Sequence, residues 1–401
     1  MNEKGDFIVK AKLKDVVCII TDKKSSSLID VNNYVSTENI LPNREGIRFP
    51  AKSLPRISKI LSYQKNDVLV SNIRPYFKKI WFSDRDGVRS NDVLVFRTKN
   101  SKILLQKYLY LLLQSDTFFD YVNLTAKGTK MPRGDKKAIL NFTFELPSIS
   151  TQKKLTNYFF VIESLIKLNN LINDNLLELA KAKFNQTYIL PTNGFQKVPL
   201  GWECSKLDKI ITFSNGYNFK RSDMLKAPEP LTYRIFKQGN ILIGGGLNDF
   251  GTKSWILKSK VKNLDRFVLK KWDLLMAMTD MKNKVAILGN TALMNRNNQY
   301  ILNQRVGLIR SNNYNNISQI YLFLLTNSKS FLYNIRSKAH SGVQVNLSTK
   351  DIKKINLIIA PEEVNNNFNR FAKPVFEKMM ENQVDNLTLN KIKQALLNNF
   401  F

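Results

Sequence analysis

The sequence predicts an α+β chain of two mixed α/β domains, related by a pseudo-twofold axis and joined by two long antiparallel coiled-coil helices. Two heptad seams and a set of β-branched segments that recurs in the same order predict it. Stepping alternately by three and four from Leu155 meets Tyr158, Ile162, Leu165, Asn169, Ile172, Leu176, Leu179 and Lys183. The same steps from Phe368 meet Phe371, Val375, Lys378, Asn382, Asp385, Leu389, Ile392 and Leu396, an offset of 213 (368 − 155). Apolar residues at this spacing line one helix face and need a partner of the same kind. Asn169 and Asn382 fall at the same step, and a lone Asn in such a seam fixes register at some cost in stability. Two unrelated amphipathic helices would share neither offset nor Asn.

Residues 1–147 form the first domain. Asp67–Ile73, Lys79–Phe82 and Val93–Arg97 read as short strands separated by turn residues, and Tyr108–Leu113 reads as a helix. Lys127–Lys137 is basic and carries Gly and Pro, which favours a loop, and Phe142–Leu146 is a last strand stopped by Pro147. The first spacer helix occupies 148–190 and is ended by Pro191-Thr192-Asn193-Gly194.

The second domain, 191–360, repeats this plan before the second spacer at 361–401. Asp273–Met278 answers the strand from Asp67 (273 − 67 = 206), and Val285–Leu288 answers Lys79–Phe82. Val306–Arg310 and Tyr321–Leu325 match Val93–Arg97 and Tyr108–Leu112 at 213; Ser341–Gln344 and Pro361 match Lys127–Lys130 and Pro147 at 214. The first helix carries the chain to the second domain, so the simplest partner is the second helix running back. With about 36 residues and a rise of about 1.5 Å each, such a spacer is roughly 50 Å long. That sets the two domains' contacts with any one extended partner about the same distance apart.

Composition narrows the partner. Sixty-two Lys and Arg against 32 Asp and Glu give a formal charge of +30, and 43% hydrophobic residues provide folded cores. A basic excess dispersed over folded domains favours a polyanion, here double-stranded nucleic acid, over a single membrane-facing patch. The start Met1–Asp6 lacks the apolar core of a signal peptide and no stretch approaches a membrane span, so the expected location is cytoplasmic, with no membrane partner. Cys18 and Cys204 sit in no paired motif, and His340 is the sole histidine, which disfavours disulfides and most zinc centres.

Several short motifs identify a resemblance. Leu146-Pro147-Ser148-Ile149-Ser150-Thr151-Gln152-Lys153-Lys154 opens the first spacer, and Pro199-Leu200-Gly201-Trp202-Glu203 opens the second domain. Ser71-Asn72-Ile73-Arg74-Pro75 and Ala277-Met278-Thr279-Asp280-Met281 stand at matched places, followed by Gln344-Val345-Asn346-Leu347 and Ala360-Pro361-Glu362-Glu363. In this order, and with the duplication, the chain resembles the specificity subunit of a type I restriction-modification system over essentially its whole length. The resemblance implies two target-recognition domains, each reading half of a bipartite DNA sequence, and helices that act as a ruler and dock two methyltransferase subunits. S-adenosylmethionine, ATP and Mg would then belong to those subunits and to the restriction motor-nuclease subunits. Two departures stand out: Thr151 replaces an acidic residue common before Gln152, and Pro374 lies inside the second spacer, where it should bend or restart the helix.

The residues agree with a chain that carries no catalytic or metal-binding residues of its own. Neither a cofactor-binding glycine motif nor a polar-Pro-Pro-aromatic motif is found; Gly244-Gly245-Gly246 lacks the helix and acidic partner of a nucleotide turn. Asp273, Asp280 and Lys282 imitate a Mg-dependent nuclease triplet, but the first copy has no second acid. A free-standing nucleic-acid-binding protein is the other alternative. DNA reading needs cations for phosphates and forked or amide side chains for base edges. The candidates are Arg74, Lys78, Lys79, Lys127, Lys130, Arg133 and Lys136 in the first domain. In the second they are Lys220, Arg221, Lys237, Gln238, Lys282, Lys284, His340 and Gln344. Tyr76, Phe77, Tyr217 and Phe219 read as core or turn packing.

Overall fold

β-Branched runs such as Val68–Ser71 and Val93–Thr98 have no helical spacing, and they pair as the central strands of one antiparallel sheet. The computed structural model describes residues 9–25, 29–55, 57–281, 285–341 and 344–401, excluding the side chains of His340 and Ser341. The chain divides into two units: Met1–Lys167 with Leu387–Phe401, and Leu168–Asn386.

In the first unit the central sheet runs in the order Val17–Ile19, Val93–Thr98, Val68–Ser71, Ile80–Phe82. A second four-stranded sheet holds Lys23–Ser25, Lys59–Tyr63, Gly87–Arg89 and Tyr34–Val35. Helices Gln106–Gln114 and Asp116–Leu124 cover the central sheet, and Ser115 caps the second by accepting from the Phe118 N–H at 3.1 Å. The long helix Ile149–Phe184 enters this unit through Leu155 and Phe159, which join Leu397 of the helix Glu362–Phe400 in one core.

The second unit repeats the frame with its central sheet in the order Ile211–Asn215, Val306–Ser311, Leu274–Ala277, Thr291–Leu293. The repeat extends to individual hydrogen bonds. Buried Asp67 and Asp273 each hold an arginine 30 and 37 residues on: Arg97 at 2.7 and 2.8 Å, Arg310 at 2.7 and 2.9 Å. Gln106 bonds the Thr98 N–H and Phe96 carbonyl; Gln319, 213 residues later, bonds Ser311 and Ile309. Ser328 caps its helix through Phe331 as Ser115 does through Phe118.

Several expectations need correction. Val285–Leu288 forms no strand; the edge strand that answers Ile80–Phe82 is Thr291–Leu293, because the intervening turn is longer in the second copy. The loop from Lys127 ends at Asp135, whose carboxylate caps the helix Lys136–Leu140. Ser341 and Gln344 belong to a hairpin, His340–Ser341 with Gln344–Asn346, which the strand Thr279–Met281 joins. The helix that holds Pro374 runs on through it from Glu362 to Phe400 with no restart.

The two long helices pair antiparallel within each unit. Lys393 reaches Glu163 at 3.2 Å in the first. In the second, Asn169 donates to Asn386 at 3.0 Å, Asn382 to Asn173 at 2.9 Å, and Tyr188 to Asn365 at 2.9 Å, so rising numbers on one helix meet falling numbers on the other. The seam itself departs from the expected stepping: Phe159, Ala180 and Phe184 are buried while Tyr158, Leu165 and Leu179 face outward, as does Ile392 on the partner helix. Lys378 and Asp385 are exposed as well. Asn169 and Asn382 do lie on the packed face, within a run of Asn that includes Asn170, Asn173 and Asn386.

Candidate nucleic-acid interface

In the first unit three loops meet at one edge. The turn after Val68–Ser71 puts Arg74 and Lys78 at φ of 50° and 49°, either side of a short 3-10 turn, Pro75–Phe77. Its backbone is tied to the loop before Gly134, since the Arg74 N–H donates to the Pro132 carbonyl at 2.8 Å and Ile73 bridges Arg133. On the other side the N–H groups of Asn43 and Arg44 donate to the carbonyls of Phe77 and Lys78, at 2.8 and 3.0 Å. Gly134 allows the close approach: a Cβ there would lie 2.8 Å from Asn72 Oδ1.

The predicted cations at this edge are used unequally. Lys78 and Arg44 both bind Asp116; burial works to raise that carboxyl, but the two cations together hold it below the usual carboxylate range. Lys79 is half-buried on the Thr37 carbonyl, and burial lowers its ammonium from the usual lysine range. Lys127 pairs with Asp135 at 2.5 Å, and that bond, with the N–H groups of Ala138 and Lys137, draws the carboxyl down to about 2. Arg133 reaches Asp92 at 3.2 Å. Exposed pairs of this kind are weak, so Lys127 and Arg133 can exchange their carboxylates for phosphates. Lys130 and Lys136 are exposed with no ion pair among the described residues, and Arg74 has a buried Nε that lacks a hydrogen-bond partner. Tyr76 and Phe77, expected as core or turn packing, pack on each other with ring centroids 4.6 Å apart on the tip of the turn and are 50% and 39% exposed. Their exposure makes stacking on a base accessible to them.

The second unit builds its edge differently. Asp280 is the hub: its Oδ2 accepts from the N–H groups of Ala286, Ile287 and Leu288 at 2.7, 2.7 and 3.1 Å, and Oδ1 from Met281 at 2.8 Å. Gln238 braces the same strand, accepting from the Thr279 hydroxyl at 2.6 Å and donating to its carbonyl. Lys237 turns inward to Ser254 at 3.2 Å, and burial lowers its ammonium. Lys220 and Arg221 are exposed. Lys282 and Lys284 lie outside the described residues, as does the side chain of His340, although its backbone pairs with Asn346. Gln344 is half-exposed beside an open polar groove of about 410 Å³.

That groove contains what the sequence did not single out. Asn215, Gln304, Arg305 and Asn346 line it with Thr279 and Gln344. A turn between two strands is the only signal Gln304 and Arg305 carry in the sequence. Asp273 and Asp280, the acids of the nuclease alternative, have their oxygens occupied by Arg310 and by backbone N–H groups. Among the described residues no three His, Cys, Asp or Glu side chains converge as a metal site. Among the same residues no helix is long and apolar enough to cross a membrane.

Two copies of one framework, each with a basic or amide-rich loop edge, match the family of the type I restriction modification DNA specificity domain, over residues 8–178 and again over 199–388. The chain belongs to that family. Its relatives include the MjaVIII type I restriction enzyme specificity subunit of Methanocaldococcus jannaschii, 27% identical over 80% of this chain and 74% of the relative. The HindI specificity subunit of Haemophilus influenzae is 23% identical over 86% of this chain and 88% of its own length. The fold is that of the type I restriction-modification S subunit from M. genitalium, with a TM-score of 0.64, 12% identity and coverage of 100% and 98% of the two chains. The loop edges described above are therefore the edges of two DNA specificity domains.

Proposed function

We propose that this chain reads a bipartite DNA sequence, one half-site per domain, and brings two methyltransferase subunits to it. The observation that carries the reading is the contrast between frame and edge. The Asp–Arg pair, the Gln clamp and the Ser cap recur in the same order, the Arg, Gln and Ser at an offset of 213 and the Asp at 206, while the loops above them hold different side chains in the two units. Selection for one ligand read twice would keep the edge residues as well as the frame; two different half-sites free the edges and retain the scaffold.

The helices supply a surface for the methyltransferases. In the first unit Tyr158, Val161 and Leu165 are 64%, 57% and 43% exposed, and in the second Leu168 and Leu171 are 52% and 56% exposed. A run of outward apolar residues on a helix is a protein-binding face. In this reading S-adenosylmethionine, ATP and Mg are held by the methyltransferase and motor-nuclease subunits, and the assembly works on DNA in the cytoplasm. Native mass spectrometry of the chain co-expressed with its methyltransferase tests the docking: two methyltransferase copies per chain are expected. Recovery of an intact, soluble methyltransferase that forms no complex would leave a free-standing DNA binder as the better account.

A further inference from the structure

We infer that Arg305 reads a guanine in the half-site held by the second domain; the inference rests on the DNA-recognition reading above. Arg305 and Gln304 are exposed on the turn that leads into Val306–Ser311, and their backbone is fixed in place. The Gln304 N–H donates to the Tyr217 carbonyl at 2.9 Å, and the Arg305 carbonyl accepts from the Met278 N–H at 3.3 Å. Neither side chain makes a hydrogen bond or ion pair among the described residues.

The composition of the groove separates base reading from phosphate binding. Arg305 is its single cation among the described residues, and the amides of Asn215, Gln304, Gln344 and Asn346 line it as well. Amides serve phosphates as well as bases, but charge neutralisation draws on several Lys and Arg together, and one forked guanidinium set among amides is the combination that matches base edges, with Arg on guanine O6 and N7 the commonest pairing. The first domain supplies an internal control. Arg305 and Asp92 each stand one residue before the matched strands Val306–Ser311 and Val93–Thr98, and Asn346 and Arg133 make matched bridges, to Thr279 and to Ile73; Arg133 and Asp92 pair with each other at 3.2 Å. The same place on the scaffold thus presents an unpaired arginine in one copy and an ion pair in the other.

The test uses the chain co-expressed with its methyltransferase in an unmethylated host, as wild type, Arg305→Ala and Arg305→Lys, with modification-sensitive sequencing of the host DNA. Wild type should modify a defined motif with a required G·C pair in one half. Arg305→Ala should relax that one position by roughly 5- to 150-fold, the range of a lost bidentate contact, Arg305→Lys by less because an ammonium still reaches guanine, and both should leave the other half unchanged. Arg305 is exposed, so unchanged melting temperatures are expected. A variant that keeps the full motif, or that weakens modification evenly at every site with a shallower salt dependence, overturns the inference. A wild type that modifies no defined motif would instead overturn the DNA-recognition reading itself.

Discussion

Replacing Asp280 with Ala removes the acceptor of four backbone N–H groups at once, on Met281, Ala286, Ile287 and Leu288. Leu288 is fully buried, so its N–H loses a charged partner with no water to replace it, at about 1–3 kcal/mol. Ala286 and Ile287 are partly exposed and recover some of their loss by hydration. The total is about 2–4 kcal/mol, below the roughly 5–15 kcal/mol that holds a domain folded. Differential scanning calorimetry should therefore show the second domain melting about 5–10 °C earlier, with the first domain unmoved. Asp280→Asn keeps one acceptor oxygen and should lose less than half as much. A metal ligand would behave in the opposite sense, because removing an acid from a vacant carboxylate site relieves repulsion and raises the melting temperature. A second-domain transition that rises, or moves by less than about 1 °C, would refute the hub.

Other parts of the molecule give separate tests. Phe159→Ala, at a fully buried site where the first long helix meets its domain, should cost about 3–5 kcal/mol in urea unfolding. Glu163 is raised above the usual carboxylate range by burial, against the pull of Lys393. A raised folded value means its contribution to stability is full below the unfolded pKa and lost as pH rises through the folded one. Wild type should accordingly lose stability relative to Glu163→Gln as pH rises above the ordinary glutamate value and through the raised folded one, checked by unfolding at several pH values; a constant difference would contradict the burial. Lys130→Ala and Lys136→Ala should each weaken binding of the complex to all duplexes alike and reduce the salt slope by about 1. Tyr158→Glu should abolish methyltransferase docking in a pull-down without changing the melting temperature, since its side chain is exposed.

The duplication was legible because its strands and helices keep an offset near 213 and because Pro and Gly punctuate both copies alike. The helix seam was only partly legible. Heptad stepping moves 3.5 residues per turn while a straight helix has 3.6, so a fixed alternation of three and four drifts across the face. From Leu155 the packed residue is Phe159, four residues on, so an alternation that begins with a step of three is already out of phase at Tyr158, before any drift accumulates. Val285–Leu288 has the composition of a strand, yet its N–H groups go to Asp280, a tertiary contact that no local pattern reports. At the candidate edge the structure brings together the loops that the sequence singles out in the first unit, but local pattern does not report which cations are already engaged. That Arg133 meets Asp92, 41 residues away, or that Gln238 is spent on Thr279, depends on how the sheet brings distant turns together. Arg305 went unnoticed because it directly precedes a strand, in a stretch without basic neighbours.

Two related domains that read two different half-sites would write both halves into the DNA they mark. Modification-sensitive sequencing of an unmethylated host that expresses this chain with its methyltransferase tests it most directly. Methylation is expected at a motif of two defined halves separated by a fixed, unread gap, the halves differing in sequence. A single uninterrupted motif, or methylation without sequence preference from an intact complex, would contradict it.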